Sequence, residues 1–179
     1  TYKLMETGFK NWRGMFESGG RQIKRSLLLD QKSINFVSDA DLDKLFQNYH
    51  VQKYLPTLDE LKQEHHIDHR ASLTNLGVFR TYVENYLKSN QNIHQEMTLI
   101  VRHLEPTPDG IPLQLYAYTT DTRWGQYESI QADIFEHIIA LLPVFKLRLF
   151  QNRMDTDLEA LDHLYGAVDA QKRVRLGHS

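Results

Sequence analysis

From Met97 to Phe150 the spacing of apolar residues changes period twice, from two to that of a helix and back, and a turn cluster divides the first stretch into two elements. Met97, Leu99 and Val101 alternate with Thr98, Ile100 and Arg102, and Leu113, Leu115 and Ala117 alternate with Gln114, Tyr116 and Tyr118, the period of two that a half-buried strand imposes. Between these runs lies Pro106-Thr-Pro-Asp-Gly110, where proline presets φ and glycine admits positive φ, so the two strands form a hairpin. Tyr127, Ile130, Ile134, Ile138 and Leu141 then recur three and four apart, with Glu128, Gln131, Asp133 and Glu136 elsewhere, which predicts an amphipathic helix ended by Pro143. Phe145 to Phe150 alternates again and predicts a returning strand.

Upstream, Ile23, Leu27 and Leu29 share one face of a predicted strand over 21–29 that turns Lys24 and Ser26 to the other face, and a shorter strand is expected around Ile34 and Phe36. Ser38 with Asp41 three residues on starts a helix whose buried stripe is Leu42, Leu45, Phe46 and Tyr49. The polar stretch 50–72, broken by Pro56, reads as an insertion packed on the outside, with a short helix around Leu58 and Leu61. A clearer helix begins at Asn75, burying Leu76, Phe79, Tyr82, Val83, Tyr86 and Leu87 and exposing Arg80, Glu84 and Lys88. The resulting order β, α, β, β, α, β is that of an α+β, ferredoxin-like domain, an antiparallel sheet with two helices on one face, reached by right-handed connections.

These readings divide the chain into a junction at 1–20 ending in Ser18-Gly-Gly20, an α+β domain at 21–151 with its insertion, and a C-terminal segment at 152–179. In the last, Leu158, Leu161, Leu164 and Val168 form a helical stripe before a basic end expected to fray.

Composition narrows the function classes. With 179 residues, 41% of them hydrophobic and 25% charged, the chain is long and apolar enough to bury a core. A formal charge of −2 gives no bulk electrostatic drive toward nucleic acid or an anionic membrane. No cysteine is present, which removes disulfides, thiolate catalysis and cysteine-ligated zinc. No run approaches the roughly 18 consecutive apolar residues of a membrane-spanning helix.

Candidate chemistry is sparse. His65, His66 and His69 are the densest potential ligand set, and His65 and His69 would share a helix face, yet the glutamate and third ligand of the usual two-histidine metal motifs are missing. No metal and no cofactor are therefore expected. Neither Ser18-Gly-Gly20 nor Gly125 has phosphate-loop spacing, and no nucleophile is paired in sequence with a base, so the chain is not read as an enzyme. The basic run Arg21 to Arg25 and the strand tyrosines Tyr116 and Tyr118 lack the glycine-aromatic signature of an RNA-binding sheet, and nucleic acid is not an expected partner. Trp12-Arg13 and Arg123-Trp124 stand out instead, because a guanidinium beside a large ring at an element border favours cation–π contact and carboxylate pairing between segments.

The segments Tyr2-Lys-Leu-Met-Glu-Thr-Gly-Phe-Lys-Asn-Trp-Arg-Gly-Met15 and Ser18-Gly-Gly-Arg-Gln-Ile-Lys-Arg25 resemble the junction below the middle β domain of small-conductance mechanosensitive (MscS) channels, in the larger YbdG-like branch. Thr74 to Arg80, Gln95 to Arg102, Pro106 to Pro112, Thr122-Arg-Trp124 through Phe135 and Leu147 to Gln151 resemble the same pattern, so the likeness runs over about residues 2–151. The resemblance implies the end of an Sm-like β domain followed by the cytoplasmic α/β domain of a bacterial inner-membrane channel opened by tension. In that family a heptamer encloses a vestibule with side portals.

On this reading Asn11, Trp12, Arg13, Gly14, Arg123 and Trp124 serve the junction and assembly, and Arg13, Glu17, Arg21 and Arg25 lie closest to a portal. The full-length protein would associate as a homo-oligomer and reach the membrane through upstream segments, whereas the present piece alone is expected to be a monomer or a weak oligomer. The competing classes are a free ferredoxin-like module binding a small ligand or RNA, and a metal-dependent enzyme built on the histidine cluster.

Overall fold

In the computed structural model, residues 19–64 and 73–151 are described. The elements in chain order are β1 (Arg21–Leu29), α1 (Asp39–Gln47), α2 (Leu58–Glu64), α3 (Asn75–Lys88), β2 (Ile100–His103), β3 (Ile111–Thr119) and α4 (Trp124–Leu141), with 3-10 turns at Gln31–Ser33 and Leu142–Phe145. β3 lies between β1 and β2 and is antiparallel to both. An isolated bridge places Leu149 beside Leu29 on the outer side of β1. The lateral order is thus the Leu149 segment, β1, β3, β2, which is the ferredoxin-like arrangement with its last strand reduced to one bridge.

The alternation along β1 and β3 sets the layers. Ile23, Leu27 and Leu29 from β1 and Leu113, Leu115 and Ala117 from β3 are buried and point to the helices, which return Phe79, Tyr82, Val83, Ile134 and Ile138 to the same core. The rings of Phe79, Tyr82 and Phe145 meet at its centre, with Phe79 and Phe145 centroids 5.0 Å apart in an edge-on arrangement.

Local capping explains where the helices begin. Ser38 Oγ accepts from the Asp41 amide at 3.2 Å and donates to the Asp41 carboxylate at 2.7 Å, closing a short capping box on α1. Thr57 and Glu60 do the same for α2, with the Thr57 amide and hydroxyl both 2.8 Å from Glu60 Oε2. Thr74 Oγ1 accepts from the Gly77 amide at 3.1 Å at the head of α3.

Three expectations are corrected. Residues near Ile34 form no strand; a 3-10 turn capped by the Asp30 side chain leads there, and Phe36 contributes only a bridge to Thr74. The run at Met97 becomes regular strand only from Ile100. The run from Phe145 to Phe150 keeps its alternating burial, but Phe145 belongs to the 3-10 turn and Lys146 caps it at φ 56°, so too few residues remain to pair. What survives is two backbone bonds, Asp30 N to Arg148 O and Phe150 N to Leu28 O, each 2.8 Å.

The described part of the insertion is also less peripheral than its polarity suggests. Val51 and Leu61 are fully buried and Leu55 nearly so, so this stretch supplies core. The junction residues 1–18, the remainder of the insertion and the C-terminal segment from 152 lie outside the described residues.

Asn75 joins parts that are far apart in sequence. Its side-chain amide donates to Ser33 O at 2.8 Å and Phe145 O at 3.1 Å, while its oxygen accepts from the amides of Asn35 at 3.0 Å and Leu76 at 2.9 Å. The residue is buried, so removing these groups leaves backbone donors and acceptors without water or partner. Asn75→Ala is expected to lower unfolding free energy by about 1–3 kcal/mol in urea titrations monitored by circular dichroism, the usual cost of stranding buried hydrogen-bonding groups. Gly110 has φ +107°, and a Cβ there would run into the Leu29 carbonyl oxygen, whereas a Cβ on Gly19, at φ +70°, meets nothing within 4 Å. Gly110→Ala is therefore expected to cost clearly more stability than Gly19→Ala in the same assay.

Candidate functional site

The N-terminal end of β1 packs against the first turns of α4. Arg21 and Arg25 have the parity of the buried residues Ile23 and Leu27, but at this edge they lie over rings of α4: the Arg21 guanidinium is 4.3 Å from the Tyr127 centroid, and that of Arg25 is 4.6 Å from the Phe135 centroid. Tyr127 completes the contact by donating its hydroxyl to Gln22 O at 2.9 Å. The sequence signal of a basic strand start therefore reads physically as a cationic clamp on an aromatic helix face.

Arg123 and Trp124 sit beside it. The Arg123 guanidinium forks onto Asp121, with Nε 3.1 Å from both carboxylate oxygens and Nη2 2.5 Å from Oδ2, and the Arg123 amide adds a bond of 2.9 Å to Oδ1. These bonds hold the Asp121 carboxyl below its ordinary range, the Arg123 side chain contributing most. The Trp124 indole donates to Glu128 Oε1 at 3.0 Å, and the residue remains 70% exposed. Both side chains thus find local partners at the head of α4, and the large exposed ring is left at the surface.

On the far side of the helices, a polar cluster holds α3, α4 and the loop after α1 together. Tyr82 Oη lies 3.1 Å from His50 O, to which it donates, and 2.9 Å from His137 Nε2, while the Tyr86 ring stacks on the His137 ring at 4.3 Å. With the hydroxyl proton given to His50 O, His137 Nε2–H is the donor to Tyr82. Sequence spacing placed Tyr82 and Tyr86 on the core stripe of their helix, but nothing in it joined them to His137 or His50, which come from other elements.

A groove of about 300 Å³ runs past Phe36, Val144 and Phe145, with the Lys146–Asp41 ion pair, 2.8 Å long, among its walls. Among the described residues no group of three or more metal-ligating side chains converges. His65, His66 and His69 lie outside the described residues, as do Asn11, Trp12, Arg13, Gly14 and Glu17. Among the described residues no helix is long and apolar enough to cross a membrane.

A three-stranded antiparallel sheet with its helices on one side, a bridged fourth segment, and a cationic clamp at the strand start define an α+β domain of the ferredoxin-like class. The family described as mechanosensitive ion channel MscS, C-terminal, matches residues 64–143, the span that holds α3, β2, β3 and α4. Over that span the chain is similar to the C-terminal domain of mechanosensitive ion channels of the MscS family.

The His137 cluster sets a pH dependence. Burial, then the nearby His50, hold the His137 imidazole below its ordinary value of 6.5, so the folded state resists its protonation. The unfolded chain takes up that proton more readily below pH 6.5, so this contribution to stability is present above 6.5 and is lost as pH falls through and below it. His137→Gln, which keeps a donor for Tyr82, is expected to flatten the loss of unfolding free energy on the acid side of pH 6.5.

Proposed function

We propose that this chain is the cytoplasmic vestibule and assembly domain of a bacterial inner-membrane channel that opens under membrane tension during hypo-osmotic stress, in the YbdG-like branch of the family. The observation behind it is the family match to residues 64–143, which falls on the α3-β2-β3-α4 unit that builds most of the sheet and both of its long helices. On this reading residues 1–20 close the middle β domain, and the subunits form a ring, heptameric by resemblance. The domain works by shaping a wall rather than by catalysis: its apolar stripes are spent on packing, and repetition around an axis multiplies each exposed charge.

Arg21 and Arg25, with Arg13 and Glu17 just upstream, are proposed to lie nearest the side openings. The ring contacts support this for the first two, because stacking on Tyr127 and Phe135 holds each cationic head at the rim of the domain instead of leaving it to roam. Suction applied to membrane patches containing the gene product that carries this chain is expected to elicit pressure-dependent single-channel currents, and their absence in patches with confirmed protein would reject the reading. Arg21→Glu with Arg25→Glu is expected to shift the reversal potential in asymmetric salt toward cation preference. An unchanged reversal potential would remove these residues from the openings.

A further inference from the structure

The face of the sheet opposite the helices is a built surface. Register places Lys24, Tyr116 and Ile100 in one row across the three strands, and Ser26, Gln114 and Arg102 in the next, with Gln22 and Tyr118 above and Leu28 and Pro112 below. These side chains are organised: Arg102 donates through Nε and Nη2 to Gln114 Oε1 at 3.1 and 2.9 Å, and Gln22 Nε2 donates to the hydroxyls of Tyr116 at 2.7 Å and Tyr118 at 3.2 Å. Ile100 is 42% exposed and Leu28 40%, so apolar area remains in water at both edges of this face, beside Arg102 and Lys24, and among the described strand residues on it none is acidic.

The outer face of α4 has the complementary character. The helix contains Glu128, Asp133 and Glu136 and neither lysine nor arginine. Its exposed line also includes Gly125, Ser129, Ala132 and Ile139, and nothing lies within 4 Å of a Cβ built on Gly125, so another backbone can come close. Spacing agrees as well: Lys24 and Arg102 are two strands and one row apart, about 12 Å from sheet geometry, and Glu128 and Glu136 are eight residues apart along the helix, also about 12 Å.

We propose that the open sheet face of one copy receives the outer face of α4 from a second copy of this chain, with Lys24 and Arg102 opposite Glu128 and Glu136. This rests on the homo-oligomer of the proposed function and names its contact. Acceptor and donor surfaces lie on opposite sides of each subunit, since the inner side of α4 packs on its own sheet. The contact is therefore head to tail, which propagates beyond a pair and closes into a ring when the rotation between copies divides a full turn. The tyrosines favour a protein partner over a row of bases, because the Tyr116 and Tyr118 rings meet edge-on at 79° with their hydroxyls hydrogen-bonded to each other at 3.1 Å instead of presenting parallel plates.

This chain contains no cysteine, so once any cysteine elsewhere in the gene product is replaced by serine the introduced thiols are the ones that can pair. In membranes containing the gene product, Ser26→Cys combined with Ala132→Cys, or with Ser129→Cys, is expected to yield under mild oxidant a ladder extending beyond the dimer, while none of the single-cysteine variants does. Adding Lys24→Glu and Arg102→Glu should lower the trapped fraction several-fold, and adding Glu128→Lys and Glu136→Lys on top should restore it. A lysine-reactive cross-linker run in parallel separates the failures. Oligomer with this reagent but no disulfide ladder overturns the contact and leaves the ring standing, and no oligomer with either reagent overturns both. A dimer from Ser26→Cys alone would place sheet against sheet and overturn the head-to-tail arrangement, and an RNA oligonucleotide released by Tyr116→Ala would assign the face to nucleic acid instead.

Discussion

The side chain of Asn75 is the constraint on which the fold turns. One planar amide, buried at the head of α3, satisfies backbone groups of the turn after β1, of the segment leading to α1, and of the 3-10 turn that follows α4. Two of those stretches are single 3-10 turns and the third is loop, so their backbone ladders are too short to pair every donor and acceptor, and burial without partners would cost more than the packing returns. With the amide in place, the ends of the chain's first and last described elements are held over the same helix, and the aromatic centre of Phe79, Tyr82 and Phe145 closes beneath them. Hydrophobic burial drives the collapse; the asparagine selects which loops may be buried in it.

The layers of the fold were legible because they depend on periodicity. The stripe Leu76, Phe79, Tyr82, Val83, Leu87 is buried as its spacing required, and Ile23, Leu27 and Leu29 face the core as their alternation required. The returning strand was misread for a physical reason that periodicity does not encode. Phe145 and Leu147 are buried and flank an exposed Lys146, as in a strand, but the same pattern is produced by a 3-10 turn ending in a left-handed residue. The insertion was misjudged from its average polarity, since a few residues such as Val51 and Leu61 do its burying.

The candidate site was legible as composition and not as contact. A basic strand start beside aromatic residues could be read from the chain, yet the partners of Arg21 and Arg25 are rings about a hundred residues away, and only the pairing of β1 with β3 brings α4 over them. Arg123 and Trp124 stand at the head of α4, and the groups that engage them, Asp121 and Glu128, are close neighbours in sequence. The link from Tyr82 to His137 had no sequence signal, because a lone histidine on a helix carries no record of what packs on it.

The corner where Gly110, Leu29 and Phe150 meet has a mechanical consequence. A side chain at Gly110 has no room against the Leu29 carbonyl, and the Phe150 Cβ stands 3.1 Å from where such a side chain would begin. With Phe150 and Arg148 also bonded to the backbone on either side of Leu29, a displacement arriving through Gln151 meets main chain on main chain, with no compressible side-chain layer between. Such a corner behaves as a rivet: a movement delivered there is handed to the end of β1 and to the hairpin tip together, and the sheet answers as one plate.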